Sequence, residues 1–275
     1  MEHITKEQIA AFRSKVLGYY AAHMRVMPWR YPDKNGYYDP YKVLISEIML
    51  QQTQVARVEP KYKDFLQLFP SIQSLAGADL ELVLRVWNGL GYNRRAKYLW
   101  QTAQIIVTTY NGSIPRTVEQ LITLPGIGRN TAGALIAYSF DMPVAFIETN
   151  IRTVYLRELM HDQTGVTDAA ILELVTATLP KNNIREWYYA LMDYGAFLKS
   201  SGVKAHTRAA NYTKQSSFNG SLRQLRGAVL RQLSDSQESY VILEKLLPDR
   251  RLLKVLHVLT QEKMIHKKGD IYILG

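Results

Sequence analysis

Apolar residues recur every three to four positions along most of the first 200 residues, a spacing that turns one stripe of a helix toward a core. Ile9, Phe12 and Val16 follow Thr5, which with Gln8 has the pattern of a capping box, so a helix is expected from about residue 6. In DPYKVLISEIML, Asp39 is placed to cap and Pro40 takes the first helical position, where a missing N–H is harmless. Further helices are signalled by Asp79 before LELVLRVW, by NRRAKYLWQTAQIIV and by Thr117 before VEQLI. TNIRTVYLREL, DAAILELVTATL after Thr167, and IREWYYALMDYGAFL add three more. No strand-like alternation precedes residue 200, so the expected fold class is all-α. Residues 201–220 turn polar and aperiodic, which marks a linker. After them, LRQLRGAVLRQL, YVILEKLL and RRLLKVLHVLTQEKM predict three short helices, and IHKKGDIYIL predicts a hairpin with a Lys-Gly-Asp turn. That is the layout of a winged-helix-like α/β module over 221–275. A small packing module with a solvated Lys267–Lys268 turn is the alternative.

Composition adds a partner. At 275 residues and 47% hydrophobic, the chain is long enough for one large domain and one small one. Thirty-four Lys and Arg against 24 Asp and Glu give a net charge of +10, which points to a polyanion, since each neutralised phosphate releases counterions. An acidic membrane surface would also satisfy that charge. However, no run of about 18 apolar residues occurs, and MEHITKEQ has neither the basic nor the apolar region of a targeting segment. No membrane partner and a cytoplasmic location, beside a bacterial or archaeal nucleoid, are therefore expected. With no cysteine there is no disulfide, no thiol nucleophile and no thiolate-held metal.

LPGIGRNTAGAL (124–135) packs two glycines into a turn that runs straight into a helix. Gly126 and Gly128 allow positive φ and leave no Cβ in the way of a close ligand. Backbone N–H groups converging at such a helix start form an anion site, suited to a phosphate. Alone, PGIG reads equally as an ordinary helix–helix turn.

It does not stand alone. LPGIGRNTAG, SEIMLQQTQV (46–55), GLGYNRRAKYL (89–99) and MPWR (27–30) occur in one order and spacing across about residues 5–200. Together they resemble the helix-hairpin-helix (HhH-GPD) DNA glycosylase superfamily that includes endonuclease III, and within it the adenine-specific MutY branch. The Gln51–Gln52 pair is the most telling element. The resemblance implies a glycosylase domain over 1–200, with two helical subdomains and a cleft between them. The six-helix subdomain would span about 30–138, and the terminal one about 1–29 and 139–200. It also implies a monomer acting on double-stranded DNA that contains a mismatch or damaged base. The expected reaction is hydrolysis of the N-glycosidic bond of a flipped adenine opposite 8-oxoguanine or guanine.

Such a reaction needs an acid to protonate the departing base and a negative charge to stabilise an oxocarbenium-like sugar. Glu47 sits among Leu44, Ile45, Ile48 and Met49, and apolar neighbours favour a carboxyl that holds its proton. By resemblance it would protonate N7 of adenine; a solvated helix-edge carboxylate is the plainer alternative. Glu148 stands where the family carries aspartate, with Asn150 preserving an asparagine two residues on. The longer arm leaves three readings: an adjusted site, a slow enzyme, or an inactive one; a carboxylate that merely complements a helix dipole is also sound. Asn130 stands where bifunctional relatives place a lysine, and an amide is no nucleophile, so no lyase activity is expected at that position. Arg30 resembles an active-site arginine, with Trp29 beside it in the core. Gln52 and Tyr92 match residues that wedge into the base stack, with Gln51 beside them. Arg94 and Arg95, just after Tyr92, fit phosphate contacts, as do Arg129 and Thr131 beside Gly126 and Gly128, with a merely exposed charge the alternative for Arg129.

Two features depart from the family. Its members hold a four-iron four-sulfur cluster by four cysteines, and family spacing lands here on Lys199, His206, Ala209 and Gln215, which implies a clusterless variant. Apolar packing and basic contacts to DNA are expected to order 199–215 instead. The resemblance also implies a monovalent cation under the hairpin carbonyls. Residues 221–275 are too few for the Nudix-like domain with which adenine glycosylases recognise 8-oxoguanine. A thymine or uracil mismatch glycosylase and a catalytically silent lesion-binding protein therefore remain as alternatives.

Overall fold

The computed structural model of the chain describes residues 4–214 and 216–275. Its elements in chain order are α1 (Lys6–His23), α2 (Pro40–Leu50), α3 (Val55–Leu68), α4 (Ile72–Ala76), α5 (Leu80–Trp87), α6 (Arg94–Thr109) and α7 (Val118–Leu121). There follow α8 (Arg129–Phe140), α9 (Thr149–Glu158), α10 (Asp168–Thr178), α11 (Ile184–Ser200) and α12 (Leu222–Asp235). The chain ends in β1 (Glu238–Ser239), α13 (Tyr240–Leu246), α14 (Leu252–Gln261), β2 (Ile265–Lys268) and β3 (Ile271–Leu274).

Most starts obey their capping signals. Thr5 and Gln8 exchange both bonds of the capping box, and the Asp39 carboxylate accepts the Tyr41 N–H at 2.9 Å. Thr117 and Thr167 cap α7 and α10. Asp79 differs: it has N-cap backbone angles, but its side chain makes no capping bond. Helix α3 is not signalled, because Pro60 reads as a breaker. It persists around Pro60 because Val58, Tyr62 and Phe65 all bury on one face.

The chain divides into two compact units. The first comprises Met1–Val43, Arg116–Thr123 and Ile127–Lys214. At its centre α11 packs against α9, α1 and α8, burying Trp187, Tyr188, Tyr155 and Val154. Phe12 of α1 meets Tyr155 and Trp187 at ring separations of 5.2 and 5.7 Å.

The second unit comprises Leu44–Pro115, Leu124–Gly126 and Gln215–Gly275. Here α6 packs on α4 and α5 over Phe65, Phe69, Leu84 and Trp87, and α12 rests on α5. The tail is a three-helix, three-strand module with antiparallel strand order β1–β3–β2. Ile265 pairs with Leu274 and Lys268 with Ile271, which leaves Gly269–Asp270 as a two-residue turn with Gly269 at φ +60°. Strand β1 has two residues, too short to show an alternation.

Candidate active site

Helix α2 carries Glu47 half-buried between buried Leu44, Ile45, Ile48 and Met49. Beyond Leu50 the chain turns through Gln51 and Gln52, the latter at φ +55°. A second non-glycine residue with positive φ, Tyr92 at +48°, lies in the GLGY loop before α6. Left-handed backbone at such residues costs on the order of 1–3 kcal/mol each and needs support. Arg95 supplies it. One of its terminal nitrogens donates to the carbonyls of Ile48 (2.7 Å), Met49 (2.9 Å) and Gln51 (2.6 Å). The other donates to Thr53 Oγ1 (3.0 Å) and the Gly91 carbonyl (3.1 Å). One guanidinium thus fastens the glutamine turn to the tyrosine loop. Burial pushes its pKa down to about 10, which still leaves it charged at neutral pH.

This corrects the expectation of a phosphate contact at Arg95: its terminal nitrogens face inward to the carbonyls of the glutamine turn and the glycine loop. Arg94 is exposed, but it is ion-paired to Glu262, which Arg226 of α12 also holds at 2.6 Å. Tyr92 is half-buried; Arg95 and Arg223 flank its ring, each 5.5 Å from the centroid, and Arg223 donates to its hydroxyl. The C-terminal module therefore grips the loop that carries Tyr92. Arg223 and Glu262 lie outside the recognised motifs, and no signal in the sequence marks them.

In the hairpin, Gly126 uses its freedom twice. Its φ is +76°, and a Cβ would stand 3.0 Å from Cβ of Tyr98. Gly128 does not: its φ is −90°, and open space surrounds the position of a Cβ. Its smallness keeps the approach to α8 clear. Gly128 is the N-cap of α8 and no side chain caps that end, so first-turn N–H groups and the positive end of the helix dipole converge there. Arg129 is exposed and Thr131 half-buried beside them. The Asn130 carboxamide oxygen accepts the N–H of Ile147 at 3.3 Å, tying the start of α8 to the residue before Glu148.

Glu148 is the N-cap of α9 and leads into Asn150. Its carboxyl keeps some accessible surface but sits deep among protein atoms, and burial raises its pKa. Lys199, Arg152, the Asn150 N–H close by (without a full hydrogen bond) and Arg25 act in the opposite direction. Because the folded protein holds this proton more tightly than an unfolded chain (pKa about 4.3), it contributes stability that is complete below that value. The contribution fades as pH rises through the elevated folded pKa. Glu148→Gln should therefore lose less melting temperature than the parent as pH rises from about 4 through the elevated folded pKa. Parallel melting curves for the two proteins would refute this placement of the carboxyl.

Arg30 is buried, and both its terminal nitrogens bond to Asp193 at 2.9 Å while its guanidinium lies 4.5 Å from the Tyr189 ring centroid. Arg25 donates to the same carboxylate at 2.6 Å. The arginine that resembles an active-site residue, expected in the base pocket or behind it, is thus bound to Asp193, an acid inside an apolar helical run.

The positions where family spacing would place cysteines hold no ligand set for iron. Lys199 is an amine, Ala209 is an inert buried methyl, and His206 is surrounded by cations; Gln215 lies outside the described residues. Arg208 ties the segment down by donating to the carbonyls of Leu156, Met160, His161 and Gln163 around the end of α9. Ala210 donates to the Val166 carbonyl at 2.8 Å, and Asn211 to Asp168 at 2.9 Å. Apolar packing was expected to order 199–215 and Ala205 and Ala209 are buried, whereas the basic Arg208 turns inward to carbonyls. Among the described residues no cluster of three or more His, Asp or Glu could hold a metal, and no helix is long and apolar enough to cross a membrane.

Comparison with known proteins fits this geometry. Residues 45–181 match the HhH-GPD superfamily of base excision DNA repair proteins. An adenine DNA glycosylase of Mycolicibacterium smegmatis is 34% identical over 241 residues, spanning 81% of this chain and 80% of that protein. The adenine DNA glycosylase of Mus musculus is 42% identical over 153 residues, 54% of this chain but 30% of the mouse protein. A solved thermostable thymine-DNA glycosylase superposes with a TM-score of 0.61 at 23% identity, covering 75% of this chain and 97% of that one, a likeness of fold. The chain belongs to the HhH-GPD superfamily of base excision DNA repair proteins, and within it to the adenine DNA glycosylases. It is accordingly a DNA N-glycosylase, and its substrate is DNA.

Proposed function

We propose that the protein hydrolyses the N-glycosidic bond of adenine mispaired with 8-oxoguanine or guanine, and does so without strand cleavage. The observation that carries this is Glu47, a carboxyl set among buried apolar side chains on the helix that leads into the Arg95-braced Gln51–Gln52 turn. Glu47 protonates N7 of the extruded adenine, so the electron pair of the breaking C1′–N9 bond leaves on a base that has gained a proton. The sugar becomes cationic, and Glu148 as carboxylate stabilises it together with Asn150. Water adds to C1′ and releases its proton, leaving an abasic site. Asn130 offers no amine for a Schiff base, so the abasic strand stays intact. Gly126, Gly128, Arg129 and Thr131 hold a backbone phosphate at the start of α8, while Gln52 and Tyr92 fill the space the base vacates. The working protein is a cytoplasmic monomer without an iron–sulfur cluster, and a monovalent cation on the hairpin carbonyls belongs to the same reading.

The test uses duplexes carrying A:8-oxoguanine, A:G, T:G and U:G, each treated with hot alkali after incubation. Breaks at adenine alone are expected. Breaks at thymine or uracil alone would transfer the activity to pyrimidine mismatches, and breaks before alkali would contradict the reading of Asn130.

A further inference from the structure

The winged-helix module has a face that neither its own packing nor the proposed active site uses. On α14, Leu252, Val255, Leu256 and Leu259 are buried. On the opposite side Lys254, His257 and Gln261 are exposed, and Arg250 is exposed in the turn just before the N-cap Arg251. At 100° per residue, positions 254, 257 and 261 fall within about 60° of one another, a stripe about 10 Å long that Arg250 precedes. No acid lies on it. The exposed Lys267 and Lys268 stand at the nearby β2–β3 turn.

The module's charges are sorted in a way that favours an external anion. Four of its six acids are engaged internally: Asp249 with Arg251, Glu262 with Arg226, Glu244 with the Tyr240 hydroxyl, and Glu238 with the Ser236 hydroxyl. Of the other two, Asp235 lies at the end of α12, and Asp270 shares the β2–β3 turn with Lys267 and Lys268, which still leaves that turn net positive. The side chains of Arg250, Lys254 and Lys268, by contrast, make no hydrogen bond among the described residues, although Arg250 acts electrostatically on Asp249 beside it. The module is also firmly seated, since Glu262 pairs with Arg94 at the start of α6 and a Cβ on Gly275 would press 3.1 Å from Glu81 of α5. A helix that presents Arg250 and Lys254 at its start fits a duplex major groove about 12 Å wide, with a basic turn beside it to reach the flanking backbone.

We propose that α14 and the β2–β3 turn form a second, sequence-independent binding surface for duplex DNA, in which Arg250, Lys254, Lys267 and Lys268 contact backbone phosphates. The surface gives the enzyme a hold on undamaged duplex, from which it can search. The inference rests on DNA as the substrate but not on which base is removed.

The experiment uses the full chain with Arg250→Ala, Lys254→Ala, Lys267→Ala and Lys268→Ala combined, and a fluorescent undamaged duplex of about 30 base pairs as probe. Because this probe contains no mismatch, the result is readable even if the chain proves inactive on adenine. The combined variant should melt with the parent, bind the duplex about 10–100-fold more weakly, and lose about three to four from the slope of log affinity against log salt. Restoring Lys254 and Lys268 should recover about half of that slope. Unchanged affinity and slope would overturn the proposal, as would a larger loss on a double-stranded RNA of equal length, which would assign the face to RNA.

Discussion

Glu47→Gln is expected to cut single-turnover release of adenine by about 10²–10⁴-fold, the contribution of a well-placed general acid, while binding of an A:8-oxoguanine duplex persists. Glutamine has nearly the shape of glutamic acid but no proton to give, and Leu44, Ile45, Ile48 and Met49 hold the helix around it in place. A loss of that size at unchanged affinity isolates the proton transfer from recognition. If the variant turned over within a few-fold of the parent, Glu47 would not be the acid, and the mechanism above would need another donor.

Gly195→Ala should disable the other carboxyl without touching it. Gly195 is buried on α11, where an added Cβ would lie against the Asn150 carbonyl, 2.7 Å from its carbon and 2.8 Å from the Asn150 Cβ. Backbone cannot yield as a side-chain tip can, so α9 must shift away from α11, at about 1–3 kcal/mol or more of overpacking. That shift displaces Glu148 and Asn150, and misplacement by about 1 Å is worth about 10²-fold in rate. Both a lower melting temperature and slower chemistry are expected. Gly18→Ala is the matched control: it lies exposed in α1 with open space around the position of its Cβ, and should stabilise slightly, as alanine in a helix interior usually does. A Gly195→Ala protein with parental activity and stability would show that α9 and α11 are not held as described.

How far the sequence is legible depends on the range of the interaction. Capping by Thr5, Thr117 and Thr167, the Gly126 turn and the winged-helix layout involve residues a few positions apart, and their patterns were readable. Helix α3 was obscured because Pro60 is a genuine local cost outweighed by burial on the other face. Arg95 was misassigned for a different reason. An arginine after a glycine loop suits a phosphate as well as a carbonyl, and the choice depends on acceptors more than forty residues away. The Arg30–Asp193 pair, separated by 163 residues, is of the same kind. Glu47 and Glu148 were singled out by their surroundings and by resemblance. The raised pKa of Glu148, with Lys199 and Arg25 acting against it, follows from the fold alone.

Arg208 carries a consequence for how this protein comes into being. A segment that relatives by resemblance order around iron is here fastened by guanidinium-to-carbonyl hydrogen bonds of the same chain. That anchor is made from the chain's own atoms as the segment docks on the end of α9, and it forms and breaks without any transfer of electrons.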